Sequence, residues 1–86
     1  MKKVTITNGT YQTINVKTDG KPHIIMFASG ILYQLYSDGT YGDAFNVNRN
    51  GNQSYFKNIT DTGFTIDFSL HGESQTINSA ICYYIT

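Results

Sequence analysis

Polar and apolar residues alternate along most of this chain, and Gly, Asn and Asp interrupt the alternation at short intervals. Val4-Thr5-Ile6-Thr7 alternates as a half-buried strand does. Asn8-Gly9 follows, a pair suited to the left-handed dihedrals of a two-residue hairpin turn. Residues 11–17 are therefore expected to return beside the first strand, with Ile14 and Val16 on one face. Asp19-Gly20-Lys21-Pro22 predicts a second turn, since Pro has no amide hydrogen for a ladder. His23-Ile24-Ile25-Met26-Phe27-Ala28 is a continuous apolar run, expected as a strand covered on both faces, the second face by another chain if not by this one. Gly30 marks a bulge or turn before a strand over 31–36, with Tyr33 and Tyr36 on opposite sides.

Asp38-Gly39 predicts another hairpin pair, residues 41–47 a weak strand, 48–52 a polar turn and 53–59 an extended segment. The cleanest alternation follows Asp61-Thr62-Gly63. Phe64, Ile66, Phe68 and Leu70 point one way, and Thr65, Asp67 and Ser69 the other. His71-Gly72-Glu73-Ser74 turns again, and residues 75–86 read as a last strand, apolar on both faces around Ile81-Cys82-Tyr83-Tyr84-Ile85.

Strands with turns every eight to twelve residues predict an all-β fold. The expectation is one domain over 1–86, a small antiparallel β-sandwich of about six to eight strands. A sandwich has one inner face per sheet. The doubly apolar segments at 23–28 and 81–85 therefore predict subunit contact, with a closed barrel end rimmed by Tyr hydroxyls as the alternative.

Composition narrows the partners. The 86 residues carry six Lys+Arg against six Asp+Glu, so no basic excess favours nucleic acid. Thr, Asn and Ser, at eleven, eight and six, supply the polarity that charge does not. One Cys excludes an intrachain disulfide and any multi-cysteine zinc site. No apolar run approaches the roughly 18 residues of a membrane-spanning helix, and none after Met1-Lys2-Lys3 has signal-peptide character.

Candidate chemistry is sparse. His23 opens an apolar strand, His71 sits in a turn, and Cys82 lies in an apolar strand where a buried thiol is inert. Asp38 and Asp43 are five residues apart but read as turn residues, not as a paired acid and base. Asn46, Asn48, Asn50 and Gly51 imitate the opening of a calcium loop, yet the twelfth position is Lys57 where a bidentate Glu is needed. An Asn-rich turn explains them better. Asn8-Gly9-Thr10, Asn52-Gln53-Ser54 and Asn58-Ile59-Thr60 fit the glycosylation pattern, as chance allows in a chain rich in Asn and Thr. The reading is therefore no enzyme, no catalytic residues, no cofactor and no metal.

What stands out is Tyr among amides. Tyr33, Tyr36, Tyr41, Tyr55, Tyr83 and Tyr84 lie near Asn, Asp and Arg49. A Tyr ring offers an apolar face for the C–H side of a sugar, and amides and carboxylates take its hydroxyls. The densest mix gives a candidate ligand site of Tyr41, Asp43, Asn46, Asn48, Arg49 and Tyr55. The alternative assignment for these Tyr is sheet rims and subunit contacts.

Four segments, in order, carry a resemblance: Lys21-Pro22 before His23-Ile24-Ile25-Met26; residues 56–59; Thr60-Asp61-Thr62-Gly63-Phe64-Thr65-Ile66; and Ala80-Ile81-Cys82-Tyr83-Tyr84-Ile85. The chain resembles C-terminal domains of bacteriophage tail-fibre and baseplate proteins, which are similar to H-type lectins. Relatives often close with Trp followed by Ala and Gly, where this chain has Tyr83-Tyr84-Ile85-Thr86. The resemblance implies a homotrimeric sandwich made in the bacterial cytoplasm and placed in the phage tail of the virion. Its partners would be a host cell-surface glycan or other virion proteins, with no nucleic acid and no membrane insertion. It implies no particular binding residues. A structural capping or trimerisation protein, and a small mobile-element inhibitor of a host protein, remain the other readings.

Overall fold

The computed structural model describes residues 1–35, 44–46 and 52–86. The expected turn at Asp38-Gly39, Tyr36, and the polar turn's residues 48–51 lie outside the described residues. Among the described residues there are ten strands and no helix. They are β1 (Lys2–Ile6), β2 (Gly9–Tyr11), β3 (Thr13–Lys17), β4 (His23–Ala28), β5 (Ile31–Leu35), β6 (Phe45–Asn46), β7 (Gln53–Thr60), β8 (Gly63–Asp67), β9 (Gln75–Ile77) and β10 (Ala80–Ile85). The all-β expectation holds. A first sheet has the order β1-β10-β4-β5, a second β3-β8-β7-β6, and a two-stranded ribbon, β2-β9, joins them. Every pairing is antiparallel.

The strand count exceeds six to eight because two long segments are cut. Asn8-Gly9 is not a hairpin turn. Neither residue has positive φ, which a type I′ turn requires of both. Asn8 instead accepts a hydrogen bond from the Ser79 amide at 2.6 Å, and the chain runs on. Residues 2–17 lie antiparallel to 63–85: β1 on β10, β2 on β9, β3 on β8. Each crossing between sheets costs one residue of parity. Inward side chains run Val4, Ile6, then Tyr11, then Ile14, Val16 on one strand path; on the other, Phe64, Ile66, Phe68, then Gln75, Ile77, then Ala80, Cys82, Tyr84. Even numbers give way to odd and return to even, because a one-residue slip turns every side chain over. Residues 75–86 are therefore two strands in different sheets.

The tight turns fall elsewhere. Ser29-Gly30 and His71-Gly72 each place two consecutive residues at positive φ, as two-residue hairpin turns demand. Leu70, expected inward, pairs with Glu73 across the second of these and is exposed. In β7 the bulge is at Asn58 (φ 55), where the register slips between Lys57 and Thr60. It turns Ile59 into the core after Ser54 and Phe56.

Rings fill the space between the sheets. Tyr33, Phe45, Phe56, Phe64 and Tyr84 form a chain with centroid separations of 6.1, 4.9, 5.8 and 5.6 Å. Phe68 branches from Phe45 and meets Tyr11 at 5.8 Å. Such contacts add to burial when tilted or edge-on. The far edges, β5 and β6, are tied by side chains: Asn46 N–H donates to the Tyr33 hydroxyl at 3.3 Å, and Ser29 Oγ donates to the Asn46 carbonyl at 3.2 Å.

Gly63 starts β8 against Val16 of the edge strand, with φ 151. A Cβ there would collide with the Val16 carbonyl oxygen, whereas one on Gly30 (φ 74) meets nothing. Gly63→Ala is expected to cost about 3 kcal/mol or more, from a glycine-only conformation plus backbone displacement. Gly30→Ala should cost only about 1–2 kcal/mol. Urea denaturation of both variants checks the contrast.

Candidate functional site

Of the six candidate residues, Tyr41, Asp43, Asn48 and Arg49 lie outside the described residues. Asn46 and Tyr55 are described. Asn46 pairs with Gln53 across β6 and β7, and Tyr55 lies two residues further on the same side of β7. Tyr55 is 40% exposed, and its hydroxyl donates to Gln53 Oε1 at 3.4 Å. Asn46 is half-buried, and its Oδ1 is buried without a hydrogen-bond partner, as is Ser54 Oγ on the neighbouring strand. Its backbone holds the seam between the sheets, so Asn46 is as much a structural tie as a surface group.

Strand register brings further polar groups beside Tyr55. Thr13, Asp67 and Tyr55 form one row across β3, β8 and β7, and Asn15, Thr65 and Lys57 form the next. These residues come from three distant stretches. Alternation alone marks each as outward, but only the pairing of β8 with both β3 and β7 assembles them. Thr65 Oγ1 donates to Asn15 Oδ1 at 2.8 Å. Lys57 pairs with Asp67 Oδ2, while Asp67 Oδ1 accepts from the Ser69 amide at 2.9 Å and the Ser69 hydroxyl at 2.6 Å. Sequence analysis placed Asp67 outward, and it is on that side, but it is nearly buried.

Burial pushes the Asp67 carboxyl upward. The hydrogen bonds from Lys57 and Ser69, with the charge of Lys57, outweigh that and hold it below the ordinary carboxylate value. This face is a ring plate beside fixed acceptors and donors, suited to a polar, hydroxyl-rich ligand.

Among the described residues, His23, His71 and Cys82 do not converge. His23 ends β4 opposite Ile85, His71 lies in the exposed turn after Leu70, and Cys82 is buried in β10. Burial alone pushes the Cys82 thiol up to about 12. Among the described residues no three of His, Cys, Asp and Glu gather as metal ligands. No helix there is long and apolar enough to cross a membrane. No protein-family model, no curated protein and no solved structure matches the chain.

Two expectations follow from these groups. Asp67→Asn should lower stability by about 1.5–3 kcal/mol at neutral pH, the range for hydrogen bonds to a charged group. Because the folded-state value is depressed, that contribution is complete above the ordinary carboxylate range and is lost as pH falls through the folded value. Urea titrations of wild type and variant should therefore converge as the pH falls below the ordinary carboxylate range. Cys82 should react with an aromatic disulfide reagent at pH 8 only as fast as the protein opens, and at once in denaturant.

Proposed function

We propose that the chain is a phage or prophage tail-associated receptor-binding module, lectin-like, that attaches to host cell-surface carbohydrate as a trimer in the virion. One observation carries the reading beyond its resemblance to tail-fibre domains. The outer face of the second sheet presents the exposed Tyr55 ring beside Gln53, Lys57, Asp67, Thr65 and Asn15. Sugar rings take an aromatic plate on their C–H side and charge-assisted hydrogen bonds on their hydroxyls. Here the polar groups are held by one another and by the ladder, so little side-chain entropy remains to be lost on binding. Tyr41, Asp43, Asn48 and Arg49 lie outside the described residues and stay in the proposed site as the sequence expectation alone.

A second reading, a purely structural capping or trimerisation module, is favoured by the exposed apolar side chains of the first sheet. The two readings separate on the polar face. Binding of the assembled protein to host cells and to an array of bacterial surface glycans is expected, with Tyr55→Ala weakening it at least about tenfold, the scale of a stacking contact. Absence of binding would leave the structural reading standing, and binding unchanged in both Tyr55→Ala and Tyr41→Ala would remove the proposed site.

A further inference from the structure

The two sheets differ on their outer faces. Along the first sheet, Thr5, Ile81, Phe27 and Leu32 form one outward row across β1, β10, β4 and β5. Tyr83 and Ile25 lie in the next, and Ile85 one step further. Phe27 is 46% exposed, Leu32 63% and Ile85 50%. Among the described residues, the charged or titratable side chains facing this way are Lys3, the Tyr83 beside it, and His23, beside Ile85. Phe27 and Ile81 also line a shallow groove of about 470 Å³ with Thr5, Gly30 and Ser79.

From this we infer that the outer face of β10-β4-β5 is where a second copy of the chain docks. The inference rests on the premise of the reading above that the chain self-associates, but it adds a contact of another symmetry: a face docked on its own copy is isologous and pairs two chains, whereas a closed trimer joins unlike faces. The size of the face supports it. Partly exposed side chains of Phe27, Leu32, Ile85, Ile25, Ile81 and Tyr83 present on the order of 400–600 Å², the upper end of what a monomer carries. Two such faces pressed together remove roughly 1,000 Å², the lower bound for a specific interface. Charge supports it as well. Among the described residues, an acidic partner would find a matching group only at the margin, at Lys3 or His23, and a basic partner none, whereas an identical apolar face needs none. Antiparallel sheets stack face to face with interdigitating side chains, and the groove beside Phe27 accepts an apolar side chain of the facing copy.

Sedimentation of wild type, Phe27→Glu and Leu32→Glu tests this. Both residues are exposed, and Leu32 lies on an edge strand, so at least the second variant keeps the fold; near-ultraviolet circular dichroism verifies it. Wild type should be oligomeric at micromolar concentration, with the dissociation constant raised at least about 100-fold in each folded variant, since a buried unpaired carboxylate is not tolerated. An oligomer unaffected by both substitutions overturns this interface and leaves the trimer reading in place. A wild type that is monomeric at about 100 µM overturns both. So does a monomer that sediments with phospholipid vesicles, which would assign the face to lipid. Glycan binding per subunit by monomeric Leu32→Glu tests the Tyr55 face separately from the interface.

Discussion

The structure depends on one long antiparallel pairing, in which residues 2–17 follow 63–85 through both sheets and the ribbon between them. At its bends the ladder is interrupted, and backbone groups there need other partners. They have them. Asn8 Oδ1 takes the Ser79 amide, the Phe68 amide donates to the Gln12 carbonyl at 2.9 Å, and buried Gln75 donates to the Phe68 carbonyl at 2.7 Å. These three bonds let two strand paths leave one sheet and enter the other with no orphaned amide at those points. Phe68 is buried, so without the last two bonds its amide and carbonyl would be left unpaired in the core, whereas the Asn8–Ser79 bond lies at the surface.

That pairing also explains why so short a chain encloses a core. One side of the sandwich is closed by the ribbon, the other by Tyr33 and Ser29 reaching Asn46. The aromatic chain from Tyr33 to Tyr84 spans the gap, and four of the five Phe are buried in it. The fifth, Phe27, is the exception, on the outer face of a central strand. An exposed Phe flanked by Ile81 and Leu32 is not a scattered surface residue, and contiguity gives it meaning.

Much of the fold was legible in the sequence because period-two alternation is local. The β4 run, the β8 alternation and the turns at Gly20, Gly30 and Gly72 are where their residue types put them. What was not legible depends on distant partners. Asn8-Gly9 has hairpin chemistry, but a side-chain bond to Ser79, 71 residues away, decides its conformation. The split of 75–86 follows from which strands it meets, not from its own composition. The candidate site divides the same way. Tyr55 was visible as an aromatic among amides, whereas Lys57, Asp67, Asn15 and Thr65 became its neighbours only through register.

The chemistry of the two outer faces then bears on what the chain can do. On the second sheet, the Asp67 carboxylate is held ionised by Lys57 and Ser69 and fully engaged. A carboxylate so held is a poor proton carrier, and its acceptor oxygens are already taken by Lys57 and Ser69. Cys82, the one thiol, is kept protonated by burial. Both groups are thus spent on structure, and among the described residues the charge beside Tyr55, Lys57, is paired. In the proposed reading, ring stacking on Tyr55 and hydrogen bonds from its neighbours would discriminate ligands by shape. Weak single contacts of that kind gain most from repetition. Several copies held together by the apolar face of the first sheet would present several Tyr55 faces at once, so that avidity multiplies affinity without any new contact.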